Sequence, residues 1–309
     1  MKILADKLID ALMPHVLKRI MPSVETRLNE RLQPFLPSPE IYRSKPDAPF
    51  MRYSTCNFED FLHPEFERLT DLIQHHVFYH RKLWEFVFIL HHAFRSQAIG
   101  PGKRCLGFGV GSEPLPAAFA HAGSDVAATD APIDIGQERG WTNANQLAQG
   151  LATLPQGRMS RAGFEEKVSF QACDMNAIDP DLQNYDFCWS SCAFEHLGSI
   201  DKGLDFVVNS IDTLKPGGVA VHTTEFNLTS NQETVDNAWT VLFRRRDFED
   251  LIDRLQNLGH TVEPFVVAPN TTPVDQFVDV PPYTENPHLK LMLESFVTTS
   301  AGLVIRRNG

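Results

Sequence analysis

From Gly100-Pro101-Gly102 onward the chain alternates short apolar runs with helical patterns, and no other feature restricts its fold as much. The runs read as strands at Arg104–Phe108, Asp125–Thr129, Val168–Cys173, Tyr185–Trp189, Val219–Thr224, Thr261–Val267 and Phe296–Ile305. Apolar strands separated by amphipathic segments form a largely parallel sheet with helices on both faces, so this region predicts one doubly wound α/β domain. Ligands of such sheets gather at the carboxyl ends of the strands, so the residues just after each run are where chemistry is expected.

The first strand runs into Gly107-Phe108-Gly109-Val110-Gly111-Ser112. Glycines let a chain turn sharply and approach a ligand closely, and the helix that follows presents unpaired N–H groups. A dinucleotide fingerprint needs G-x-G-x-x-G, but Ser112 stands at its third glycine, which argues against NAD. The second strand ends on Asp130, whose carboxylate can accept both protons of a ribose diol. The third strand ends in Cys173-Asp174-Met175-Asn176, and the fourth runs through Ser190 into Ser191-Cys192-Ala193-Phe194-Glu195-His196. Leu214-Lys215-Pro216-Gly217-Gly218 then precedes Val219–Thr224 and Glu225. Asp at a strand end is also a common turn residue or helix cap, which is the plain reading of Asp130 and Asp174.

Taken in this order, these landmarks resemble the class I S-adenosylmethionine-dependent methyltransferases over about Lys103 to Arg307. The resemblance implies a seven-stranded, doubly wound, Rossmann-like sheet whose last strand is antiparallel, with S-adenosylmethionine across the first strand ends. Residue by residue it assigns Gly107, Gly109 and Gly111 to the methionine moiety, Asp130 to the ribose, and Asp174 with Met175 to the adenine. Ser190 is placed by it beside the methionine and the reacting centre. Cys105 departs from the pattern, because many members carry an acid there for the cofactor's amino group. The helical front, the Trp189–Gly198 run and the Asp279-Val-Pro-Pro-Tyr283 segment also resemble uncharacterised bacterial methyltransferases, some associated with surface-polysaccharide clusters. That likeness implies O-methylation of a sugar or glycan hydroxyl. A small aromatic or lipid-like acceptor, and a cofactor-binding scaffold without catalysis, are the alternatives.

A hydroxyl acceptor must lose its proton as the methyl arrives, so a base is required near the strand ends. His196 and Glu225 are the candidates, with His222 nearby and Asp279 or His288 deliverable by the segment Asn270 to Glu294. Each has a structural reading too: Glu195-His196 suits a helix opening, and His222 a packed strand position.

Ahead of this domain, expected to span residues 98–309, residues 1–97 read as a helical accessory region. Ile3 to Leu32 is amphipathic and interrupted by Pro14 and Pro22; prolines from Pro34 to Pro49 mark a linker, and residues 58 to 97 form a second helical block. The apolar faces call for packing against the chain's own body or, in a homodimer, against a second copy. His76 and His80 would share a helix face, but no motif completes a metal site and none is expected. A net charge of −11 argues against a nucleic-acid partner, and no apolar stretch approaches the ~20 residues that span a bilayer. Five cysteines without a C-x-x-C pair fit reduced thiols in a cytoplasmic protein.

Overall fold

The computed structural model describes residues 13, 16, 18–21, 34–138 and 147–309. The first amphipathic segment, Ile3 to Leu32, therefore lies almost wholly outside the described residues; within it, Met13, Val16 and Met21 are exposed.

A single sheet organises the rest. Its strands are β1 (Arg104–Phe108), β2 (Asp125–Asp130), β3 (Val168–Ala172), β4 (Tyr185–Ser191), β5 (Leu214–Asn227), β6 (Thr261–Val262), β7 (Leu291–Leu293) and β8 (Phe296–Arg306). They run in the order β3-β2-β1-β4-β5-β8-β6, with β7 paired to β8. Strands β1 to β5 pair in parallel, and β8 enters antiparallel between β5 and β6. The doubly wound sheet with an antiparallel last strand is thus present, extended by the short β7, which the sequence pattern does not reveal. The chain leaves β1 toward β2 and returns on the other side as β4, so the topological switch point lies between β1 and β4.

One expected strand is shorter than the apolar pattern suggests. Thr261–Val267 pairs with β8 only at Thr261 and Val262, and after Glu263 the chain meets Pro264, which has no N–H for the ladder. Beyond the proline, Val266 and Ala268 instead donate to the side chains of Ser54 and Thr55.

The second helical block divides into α1 (Phe58–Phe61), α2 (Pro64–Leu72) and α3 (Arg81–Arg95). Pro64 opens α2 at a position where its missing N–H costs nothing. The chain breaks between α2 and α3, where Gln74 adopts a φ of 58°, and the His80 side chain caps α3 by accepting from Lys82 N–H. His76 and His80 therefore do not share a helix face.

Helix α3 is not peripheral. Leu83, Trp84 and Phe86 through Leu90 are buried in one apolar core with residues of β1, β2, β4 and β5, and Trp84 donates its indole N–H to Asp60 at 2.8 Å. On β8, Gly302 faces the Phe88 ring so closely that a Cβ would stand 2.2 Å from it. Each fully buried apolar side chain of this kind contributes about 1.5–3 kcal/mol. The boundary expected near residue 98 thus coincides with no gap in packing. On the other face, α7 (Ile200–Ser210) and α8 (Arg245–Asn257) cover β4, β5 and β6 with a second core that includes Phe194, Phe206, Phe243 and Phe248. Three shorter helices, α4 (Leu115–His121), α5 (Ile133–Glu138) and α6 (Arg161–Lys167), link the first three strands, and α9 (Pro273–Gln276) lies in the late insertion.

Candidate active site

A cleft of about 440 Å³ opens at the carboxyl ends of β1, β2, β3 and β4, beside the switch point. It is lined by the glycine turn from Gly109 to Pro114, by Asp130 and Ala131, by Cys173 to Asn176, and by Ser191 to Ala193 with His196. Helix α3 adds Lys82 and Phe86. A volume of this order suits a small-molecule or cofactor site.

The turn after β1 needs its glycines for two different reasons. Gly109 and Gly111 sit at φ values of 60° and 50°, a left-handed region that glycine enters without penalty. Both line the cleft, and a Cβ on Gly109 would stand 2.8 Å from that of Ala193. Gly107 does not line the cleft: a Cβ there would meet the Trp189 ring at 2.4 Å, so its place on β1 is dictated by the indole packed beneath the turn. Trp189 in turn donates its N–H to Glu113 at 2.6 Å. Glu113 faces the cleft but is 7% exposed, and burial pushes its carboxyl up to about 8.

Asp130 is buried at the end of β2 and lines the cleft. Its carboxylate accepts backbone N–H groups of Gly111 at 2.9 Å, Ala131 at 2.7 Å and Ala148 at 2.8 Å. Burial raises its pKa, and these three bonds pull it back. Asp174 accepts from Asn176 N–H at 2.9 Å, shaping the turn after β3, and Met175 is buried beside Gly109; both line the cleft.

Ser190 lies elsewhere. Strand alternation sends Trp189 to one face and Ser190 to the other, where the serine is fully buried and 2.8 Å from His222 Nδ1 on β5. Ser210 binds the other imidazole nitrogen at 3.0 Å, and burial holds His222 neutral, its pKa down to about 3. Ser190 and His222 are therefore a buried polar pair, and their neighbours Ser191 and Cys192 occupy the cleft wall instead.

The two candidate bases also separate. His196 lines the cleft, in a short 3₁₀ turn, with Nδ1 at 3.0 Å from the Trp239 carbonyl and 3.2 Å from Thr240 Oγ1. A carbonyl can only accept, so Nδ1 carries the proton and Nε2 is the basic nitrogen. Glu225 is buried behind that wall in an ion pair with Arg81 at 2.5 Å. Burial raises its carboxyl to about 7 although Arg81 pulls it down. Asp279 and His288 bind each other at 2.7 Å, and the His288 ring stacks on His80 with centroids 4.7 Å apart. The late insertion thus clamps the start of α3 and brings neither residue into the cleft.

Sequence reasoning missed the residues behind the wall. Glu85 of α3 is fully buried, and it receives Lys82 Nζ at 3.1 Å, Ser191 Oγ at 3.1 Å, Cys192 Sγ at 3.0 Å and Thr223 Oγ1 at 3.3 Å, with Ser300 of β8 and Arg81 alongside. Burial alone would raise its pKa, but Lys82 and Arg81 hold it below the usual carboxylate range. Lys82 also donates to Ser191 O and Oγ at 3.0 and 3.1 Å. Glu195 accepts from Thr224, and ligand atoms of Cys192, Glu195 and Glu225 lie within 4.8 Å of one another, with Arg81 as the counter-charge on Glu225. A signal existed: Glu85 is a lone acid inside the apolar run Trp84–Leu90.

No family model and no curated protein matches the chain. Among solved structures, it is similar to a putative sarcosine dimethylglycine methyltransferase from Galdieria sulphuraria, at 11% identity and a TM-score of 0.46, over 83% of this chain and 93% of that one. It is similar to the methyltransferase domain of bacterial CtHen1 at 11% identity and a TM-score of 0.42, over 70% and 95%. Phosphoethanolamine N-methyltransferase 2 of Haemonchus contortus, in complex with S-adenosyl-L-methionine, gives 16% and 0.42, over 72% of this chain and 52% of that one. Among the described residues no helix is long and apolar enough to cross a membrane.

Proposed function

We propose that this chain is an S-adenosylmethionine-dependent methyltransferase acting on a hydroxyl of a sugar or glycan. The observation that carries the reading is the convergence, in one cleft at the switch point, of the Gly109–Gly111 turn, Asp130, and Asp174 with Met175. The lining would suit the cofactor: Gly109 and Gly111 bring bare backbone to the cleft, and Asp130 offers it a carboxylate for a ribose hydroxyl. Three of the roughly four acceptor sites of Asp130 are taken by backbone N–H groups. The remaining acceptor site of Asp130 would be the one to hold a ribose hydroxyl.

When bound, the cofactor supplies a methyl group already activated on a sulfonium. What remains for the chain is to hold the acceptor in line and to take its proton. His196 is the base in this reading, because its Nδ1 is anchored on a backbone carbonyl and it faces the cleft, whereas Glu225 is spent on Arg81. Five free thiols, four of them buried, support a reducing, cytoplasmic setting, and the exposed Met13 and Val16 support pairing of two chains.

Calorimetry with S-adenosylmethionine, its demethylated product and NAD tests the cofactor: tighter binding of NAD than of the other two would sink the assignment. Labelled cofactor, offered with nucleotide sugars, lipid-linked glycans and phenols, then identifies the acceptor. With that acceptor, His196→Asn is expected to lower kcat by about 100-fold or more while cofactor affinity holds. An unchanged kcat would remove His196 from the chemistry.

A further inference from the structure

Glu113 is a buried acid on the cleft wall that the reading above leaves without a role. It follows Gly111 by two residues, on the turn that would hold the methionine end of the cofactor. Resting on that reading, we propose that Glu113 replaces the acid absent at Cys105 and accepts the ammonium group of the cofactor's methionine moiety.

Three observations carry this. Cys105 itself cannot serve, since it is fully buried within β1 and does not line the cleft. Glu113 does line it, and the Trp189 N–H at 2.6 Å fixes one of its oxygens, so the carboxyl is aimed rather than mobile. Among the described residues Glu113 forms no ion pair. Lys82, the cation that shares the cleft, spends its three protons on Glu85, Ser191 O and Ser191 Oγ. A desolvated carboxylate with only an indole N–H is unfavourable, and a ligand ammonium is the missing partner.

The groups around Glu113 set the sign of a pH effect. Burial raises it most; the Trp189 bond and Lys82 lower it, and Asp130 and Glu85 raise it. With its pKa near 8 in the ligand-free protein, Glu113 is largely protonated at pH 7. An arriving ammonium favours the ionised form, so binding expels a proton to solvent. If Glu113 only anchors Trp189, no proton is exchanged and the ligand's amino group is not felt.

The test uses calorimetry on the full chain at pH 7, in two buffers of different ionisation enthalpy. The probes are S-adenosylhomocysteine and its analogue with hydrogen in place of the amino group. The native protein is expected to prefer the amino ligand by about 10- to 100-fold and to release about one proton per ligand bound. Glu113→Gln keeps an acceptor for the indole; it should bind both ligands within about threefold and release no proton. Native protein that binds both ligands alike overturns the proposal and leaves the cofactor reading standing. That result needs no variant to fold. Failure of the native protein to bind S-adenosylhomocysteine at all would overturn both.

Discussion

The two sides of the cleft are held by different kinds of contact. On the β1–β2 side the wall is mostly backbone: the glycine turn is tied to β2 by Val110 N–H on Thr129 O and by Gly111 N–H on the Asp130 carboxylate. On the β4–β5 side it is a web of buried side chains, where Glu85, Arg81 and Lys82 of α3 meet Ser191 of β4 and Cys192 just after it, Thr223 and Glu225 of β5, and Ser300 of β8. The first wall is made by residues within about thirty positions of one another; the second joins positions more than two hundred apart. A backbone wall tolerates loss of one side chain and loses ligand affinity, whereas an ionic web that loses one member leaves charges stranded.

Glu85→Ala should therefore have the largest effect on the fold. It strands Lys82 and leaves Arg81 with Glu225 as its only carboxylate among the described residues, and about 3–5 kcal/mol of stability is expected to go, read as a lower urea midpoint. A loss under about 1 kcal/mol would mean the web does not hold α3 in place. Asp130→Ala is the matching experiment on the other wall, with about 1.5–3 kcal/mol lost from cofactor binding in a protein that still folds. Should it unfold the chain as readily as Glu85→Ala does, the contrast between the walls disappears.

The smallest effect sharpens the charge state of the web. Glu225 is raised from an ordinary carboxylate value to about 7 in the folded chain. Its contribution to stability is thus present at low pH and is lost as pH rises through 7. From pH 6 to pH 8 the native protein is expected to lose about 1 kcal/mol that Glu225→Gln does not lose, measured by urea unfolding at each pH. Glu113 titrates in the same direction near 8 and is common to both proteins, so the difference isolates Glu225. Parallel pH curves would show that Arg81 keeps Glu225 ionised throughout.

The contrast also explains what could be read from the chain. Strand runs, the glycine spacing, Asp130 and Asp174 are local patterns, and the structure brings Gly109, Gly111, Asp130, Asp174 and Met175 to one cleft. Ser190 lies one residue of strand alternation away from the cleft lining, and a run apolar on both faces does not display that alternation. Gly107 looked like a ligand contact because the ring that demands it, Trp189, is more than eighty residues away. Arg81, Lys82 and Glu85 escaped altogether, since an amphipathic helix shows which face is buried and not what it will meet.

The position of β8 bears on how the molecule comes into being. Strand β8 does not close an edge; it is wedged between β5 and β6, and its Ser300 and Gly302 touch Glu85 and Phe88 of α3. A ribosome delivers α3 long before it delivers β8. Until β8 has been made, Glu85 is without Ser300, and the surface opposite Phe88 is open. The β1–β2 wall can assemble before β8 has been made, but the β4–β5 wall is complete only once β8 has emerged.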